Sequence, residues 1–305
     1  MKNKPTMPLI LLALIWGCYY VASQKAVTML SIFSAGVVIR FITLIFMTAT
    51  MAVRKELSLL LKVQHVWKRL IIIGVLGFLL DWTAFIGLSL SSASSGTALL
   101  KSDILIVSLI SVFVYKMRFT WKQWLYTIIM LAGVLLVMKI DFSNFKVANI
   151  GNIFFLLSAL FVSINAFIIK SVQSDSYSPV CDNVVAYYNN FICMILFFIV
   201  ALSSNTLNHL KLCITDPFLR GMVFAAGIGQ TLIYFVYYYN LRNYPVWLVK
   251  VFLLLMPIVS SLVNFVFFKE RLVTIQYVGM GVIILGAFGI LMEQKTVISN
   301  DTSME

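Results

Sequence analysis

Lys116-Met-Arg-Phe-Thr-Trp-Lys-Gln123, running on to Gly133, is answered later by Lys269-Glu-Arg-Leu-Val-Thr-Ile-Gln276, running on to Gly286. Lys116, Arg118, Gln123 and Gly133 return as Lys269, Arg271, Gln276 and Gly286 without a gap, at one offset of 153 residues (286 − 133). Gly74 and Gly227 share that offset, as do Leu88 and Leu241. Apolar sequences align with one another easily, but charged residues and glycines rarely agree at a single spacing. The expected organisation is therefore a duplication, with one repeat in 1–140, a second in 141–293 and a polar, mobile tail in 294–305.

Each half consists of apolar runs. Hydrophobic residues make up 61% of the chain and charged residues 11%, which leaves too little polar surface for a water-soluble fold. Lipid is the expected solvent. A helix needs about 20 apolar residues to cross the hydrocarbon core. That ruler gives ten spans, at 8–26, 32–53, 68–90, 94–115, 121–139, 149–170, 181–203, 217–241, 246–268 and 273–292. The expected fold class is all-α: a polytopic membrane protein of ten transmembrane helices. Lys2, Lys4 and the apolar run behind them resemble a signal peptide. The run is long, has no clear Ala-x-Ala site and is followed by many more spans, so it is expected to stay as the first helix.

Lysine and arginine set the orientation. With the N-terminus in the cytoplasm, Lys2, Lys4, Arg54, Lys55, Lys62, Lys68, Arg69, Lys116, Arg118 and Lys122 of the first half are inside and Lys25 is outside. The second half reverses the bias: Lys139, Lys146, Lys211, Arg220, Lys269 and Arg271 fall outside, against Lys170, Arg242 and Lys295 inside. A miscounted span would do this. So would two repeats of five helices, because an odd number of crossings turns the second upside down, the inverted-repeat design of many secondary transporters. The shared offset favours the inverted repeat, with both termini cytoplasmic and the chain in the cell (inner) membrane.

Inside these spans lie Arg40, Asp81, Lys101, Asp103 and Lys250. The stretch Thr97-Ala-Leu-Leu-Lys-Ser-Asp-Ile-Leu-Ile-Val107 places two of them in one span. A charge at the centre of a membrane helix costs about 2.5–3.5 kcal/mol on insertion scales, so such residues face a partner or an aqueous cavity and mark function. At 1.5 Å per residue, Arg40, Asp81, Lys101 and Asp103 fall about 12, 15, 10 and 14 Å below the outer ends of their helices. That is one layer. Lys101 and Asp103, two residues apart on a helix, do not face each other. The expected pairs are Lys101 with Asp81 and Asp103 with Arg40, or either with a ligand; structural ion pairs closing the bundle are the plainer alternative. Asp81 and Asp103 are the candidates for proton coupling. Lys250 enters from the cytoplasmic side and either snorkels to the interface or joins the site. Tyr20, Tyr187 and Tyr234 are further candidate contacts. Asn165, Asn189, Asn190, Gln230 and Asn264 suit hydrogen bonding between helices.

Other chemistries find no support. The four cysteines lack metal-ligand or disulfide spacing, and His65 and His209 are isolated in loops. No Walker motif, His-Glu-x-x-His or Gly-x-Ser-x-Gly occurs. No catalytic residue, metal or cofactor is expected. The net charge of +12 reads as cytoplasmic-loop bias, with no nucleic acid as partner. The expected partners are the bilayer and a small molecule, bound by a monomer.

Several local patterns belong together. Trp16-Gly17 with Lys25, Ile39-Arg40-Phe41, Pro257, and Lys269-Glu270-Arg271 followed by Gln276, Gly279 and Gly286 resemble the drug/metabolite transporter superfamily in its EamA-type, ten-helix branch. Met117 stands where the first-half motif often has Glu, and Asp103-Ile104 where the second half has Met256-Pro257. The resemblance implies a ten-helix transporter of small metabolites. Together with the mixed-sign charges, it leads to a secondary transporter, an exporter, of an amino acid or related amphoteric compound. The competing reading is an intramembrane enzyme or lipid-handling protein built on the same charges, for which Ser102 beside Lys101 is the only hint.

Overall fold

The computed structural model describes residues 6–90, 99–138, 150–269 and 271–302; the Ser91–Gly96 turn lies outside them. The spanning helices are α1 (Met7–Met29), α2 (Ile32–Val53), α3 (Trp67–Leu90), α4 (Asp103–Phe113), α5 (Trp121–Val137), α6 (Ile150–Gln173), α7 (Asp182–Ser203), α8 (Pro217–Asn243), α9 (Val246–Phe268) and α10 (Thr274–Thr302). Phe41, Ile45, Ile128, Phe198, Ile284 and Leu285 lie exposed on the outer faces, as side chains solvated by lipid do. The polar residues after Glu293 continue α10 to Thr302. They contain no glycine or proline to end the helix.

The residues that signal the repeat are those that punctuate it. Lys116 and Lys269 both take left-handed backbone conformations, with φ of 52° and 54°, and close the fourth helix of their half. Gln123 accepts from the Thr120 backbone N–H at 3.0 Å while Thr120 Oγ1 accepts from the Gln123 N–H, a reciprocal cap for the start of α5. Its counterpart Gln276 accepts from the Val273 N–H at 3.1 Å and donates to the Val137 carbonyl at 3.0 Å.

The glycines set how closely the halves approach. A Cβ on Gly133 would lie 2.8 Å from the Gly279 carbonyl oxygen, and one on Gly286 would lie 3.1 Å from that of Tyr126. Positions 126 and 279 are also related by the offset, so these are two copies of one backbone contact between α5 and α10. Gly74 packs on Ile192 of α7, and Gly227 on Ile42 of α2. Exchanging the halves maps each principal contact onto another: α1–α8 onto α6–α3, α2–α8 onto α7–α3, and α1–α9 onto α6–α4. The pairs α2–α7, α5–α10 and α4–α9 map onto themselves. The chain is a ten-helix, two-repeat bundle whose halves interleave.

Polar bridges between the halves gather at the end of the bundle that carries the N-terminus. Arg69 pairs with Asp175, and His65 Nε2 meets the Ser178 carbonyl at 3.0 Å. Asn183 donates to Glu56 at 2.5 Å, and the Tyr188 hydroxyl to the Leu60 carbonyl at 2.7 Å. Behind them Arg242 holds Asp182 at 2.5 Å. At the opposite end Ser34 Oγ donates to the Thr206 carbonyl at 2.6 Å, and Lys25 lies 4.4 Å from the Phe268 ring centroid.

Candidate functional site

The fourth helix of each half is interrupted at the same repeat position. Residues 99 and 100 are helical, Lys101 and Ser102 form a turn, and α4 resumes at Asp103. In α9 a 3₁₀ turn, Leu253–Leu255, separates Val246–Phe252 from Met256–Phe268. The offset carries 253–255 onto 100–102. Pro257 accounts for the second break, because it cannot donate back to Leu253. In α4 the Ser102 hydroxyl donates to the Leu99 carbonyl at 2.6 Å, a local bond that competes with the helix.

These two interrupted helices face each other, and the first ion pair joins them. Lys250 Nζ lies 2.9 Å from Asp103 Oδ2, with side chains only 2% and 12% exposed. The ammonium also sits 5.9 Å from the Tyr237 ring centroid, and Trp16 packs edge-on against Tyr237 at 5.4 Å. Ser163 Oγ of α6 donates to the Asp103 backbone carbonyl at 3.3 Å. Lys101 points towards the opposite half, where Nζ meets Met256 Sδ at 3.8 Å.

The second pair joins α2 to α3. Arg40 Nη2 contacts Asp81 Oδ2 at 2.6 Å, and Nη1 donates to the Tyr234 hydroxyl at 2.9 Å. The Arg40 guanidinium carbon is 5.3 Å from the Phe197 ring centroid, and Asn190 donates to the Arg40 carbonyl at 2.9 Å. Asn189 donates to the Tyr238 hydroxyl at 2.7 Å. Tyr238 packs edge-on against both Tyr234 and Tyr237, so one face of α8 connects the two ion pairs.

The pairing differs from the sequence expectation. Asp81 is held by Arg40 and not by Lys101; Asp103 is held by Lys250 and not by Arg40. The expectation took partners from consecutive helices of one half. Because the halves interleave, α4 meets α9, and the nearest cation to Asp103 comes from the other repeat. Lys250 accordingly points inward and does not snorkel. Tyr234 joins the charged groups, whereas Tyr20 and Tyr187 are not brought to them. Tyr187 faces α2, 3.5 Å from Thr48 Oγ1, and Tyr19 is the α1 tyrosine that packs on α8, beside Gly229. Sequence reasoning missed Trp16, Tyr237 and Met256. The i, i+3, i+4 spacing of Tyr234, Tyr237 and Tyr238 puts them on one helical face, and that signal was present in the sequence.

A cavity of about 300 Å³ opens elsewhere, lined by Tyr115, Met117, Phe167, Lys170, Tyr244 and Val246 among others. Its lysine is committed: Lys170 Nζ donates to the carbonyls of Leu241 at 2.5 Å and Tyr244 at 2.6 Å, capping the end of α8.

The sequence model of the EamA-like transporter family matches residues 6–139 and, separately, 149–292. The chain belongs to the EamA-like transporter family. Each match covers one five-helix half, and EamA membership makes the chain a multi-pass membrane transporter of small molecules. A solved structure titled "Crystal structure of protein" is similar to this EamA chain, with a TM-score of 0.72 at 18% identity, over 93% of this chain and 96% of that one. At that identity the likeness speaks to the fold. A search of curated proteins gives no match.

Proposed function

We propose that the chain is a secondary transporter that exports a small polar metabolite, of the amino-acid or related amphoteric class, by alternating access. The observation that carries this reading is the crossing of two interrupted helices, α4 and α9, at matching repeat positions, with Lys101, Asp103 and Lys250 gathered there. Discontinuous helices at a repeat interface are where such transporters bind their cargo, and one half rocking against the other exposes the site to each side in turn. Five helices per half support an inverted relation between the halves and two cytoplasmic termini.

The enzymatic alternative loses its hint. The Ser102 hydroxyl donates its hydrogen bond to the Leu99 carbonyl and Lys101 reaches towards Met256, so neither is directed at the other as a nucleophile–base pair would be. The test is flux of labelled amino acids through proteoliposomes containing the purified protein, with its direction read from oriented vesicles. Chemical conversion of the solute, or flux no greater than in empty vesicles across the class, counts against this reading.

A further inference from the structure

We propose that Lys101 is the subsite for a carboxylate on the transported molecule, and that this molecule is a small monocarboxylate with an apolar body. The proposal rests on the transport reading above and narrows its substrate class.

The charge balance of the interior comes first. Among the described residues of the interior, Arg40, Lys101 and Lys250 face Asp81 and Asp103, three cations against two anions. Arg40 holds Asp81 at 2.6 Å and Lys250 holds Asp103 at 2.9 Å. Lys101 takes part in neither of these pairs. Among the described residues its ammonium meets Met256 Sδ at 3.8 Å, and a thioether is a weak acceptor for a group with three donors to satisfy. An ammonium that merely escaped the membrane would extend towards the interface. This one is directed across the bundle to the other repeat.

The two walls of the crossing then define the rest of the ligand. The offset carries Lys101 onto Leu254 and Asp103 onto Met256, so the repeats present opposite chemistry at equivalent positions. One wall is ionic; the other is isobutyl and thioether, with Leu254 and Met256 both buried. Methionine adapts to varied apolar shapes, and Trp16 and Tyr237 extend the apolar surface beside Lys250. A molecule with one anionic end and an apolar body matches both walls. One cation outside these pairs matches a single negative charge better than a phosphate dianion. A ligand ammonium finds both interior carboxylates already paired, so the carboxylate is the required group and the amine is dispensable.

Three probes separate these features: 3-phenylpropionate, with the acid alone; L-phenylalanine, with acid and amine; and phenethylamine, with the amine alone. Each is tested on the full-length protein for thermal stabilisation in detergent and for flux in proteoliposomes. The two carboxylates are expected to stabilise the protein and to be carried, and phenethylamine to do neither. Lys101→Gln is expected to raise the half-saturating concentration of both carboxylates by about tenfold or more, as loss of a charged hydrogen bond does. The same variant is expected to be at least as stable as the parent without ligand, because it removes a half-buried charge that forms no salt bridge among the described residues. Unchanged carboxylate affinity in Lys101→Gln, an equal response to phenethylamine, or no response to either carboxylate overturns the proposal. Stabilisation by carboxylates without flux sinks the transport reading and leaves the subsite standing. Amine flux indifferent to Lys101 does the reverse.

Discussion

Replacing Asp103 by Ala strands the Lys250 ammonium inside the bundle. The charges lie 2.9 Å apart with side chains 12% and 2% exposed, so water offers little compensation. At an effective dielectric near 20, unit charges at that separation attract by about 6 kcal/mol. Desolvation of both groups offsets much of this, and breaking one side of a buried pair costs about 3–5 kcal/mol. Asp103→Ala and Lys250→Met are each expected to lose about 3–5 kcal/mol. The double variant is expected to lose less than either, which makes the interaction energy larger than either single loss, above about 3 kcal/mol. Unfolding titrated with dodecyl sulfate in mixed micelles measures all four proteins. Additive losses, with coupling under about 0.5 kcal/mol, refute the idea that this pair is a closed electrostatic unit.

Other substitutions test other parts of the account. Asp103→Asn keeps the side-chain shape and removes its titratable proton, so if Asp103 couples transport to protons, flux in this variant no longer responds to a pH gradient. At the α5–α10 contact, a Cβ on Gly279 would lie 2.8 Å from the Gly133 oxygen, whereas one on Gly281 meets nothing within 4 Å. Gly279→Ala should destabilise by about 1–3 kcal/mol in the same micelle titration, and Gly281→Ala should be neutral or gain up to about 1 kcal/mol. In the loop after α6, a hydrogen bond from Arg69, helped by the N–H groups of Tyr177 and Ser178, holds the Asp175 carboxyl below the usual carboxylate range. Its contribution is therefore present above the unfolded-state value and is lost as pH falls through the lower folded-state value. Proteolysis of this loop by an acid-active protease should quicken on acidification, and Arg69→Ala should move that onset to higher pH. Finally, single cysteines replacing exposed His65 and His209, in a version without the native cysteines, should be labelled from the cytoplasmic and outer faces respectively. Labelling of both from one face contradicts the inverted arrangement.

The ten spans were legible because length and hydropathy are local properties that the bilayer itself selects. The repeat was legible because caps and close approaches demand particular residues, as at Gln123 and Gln276 or Gly133 and Gly286. The partners of the charges were not legible. Asp103 is closed by Lys250, 147 residues away, and only the interleaving of the halves decides that meeting. The break in α9 had a signal in Pro257; the break in α4 had none so plain, since Ser102 and Asp103 serve equally well inside a helix or at its start. Tyr20 and Tyr19 differ by one residue and about 100° around α1, a distinction that composition does not resolve.

The polar bridges between repeats at the N-terminal end also have a thermodynamic meaning. They act as a clasp, and a protein that alternates between two faces has its resting population set by the difference between such clasps. Each 1.4 kcal/mol removed from one side changes that population about tenfold. Arg69 is partly open to solvent, with a side chain 41% exposed, and pairs of this kind are weakened by salt. If transport proceeds by the alternating access proposed above, raising the ionic strength at that membrane face should favour the conformation open on that side, without any ligand entering the interior.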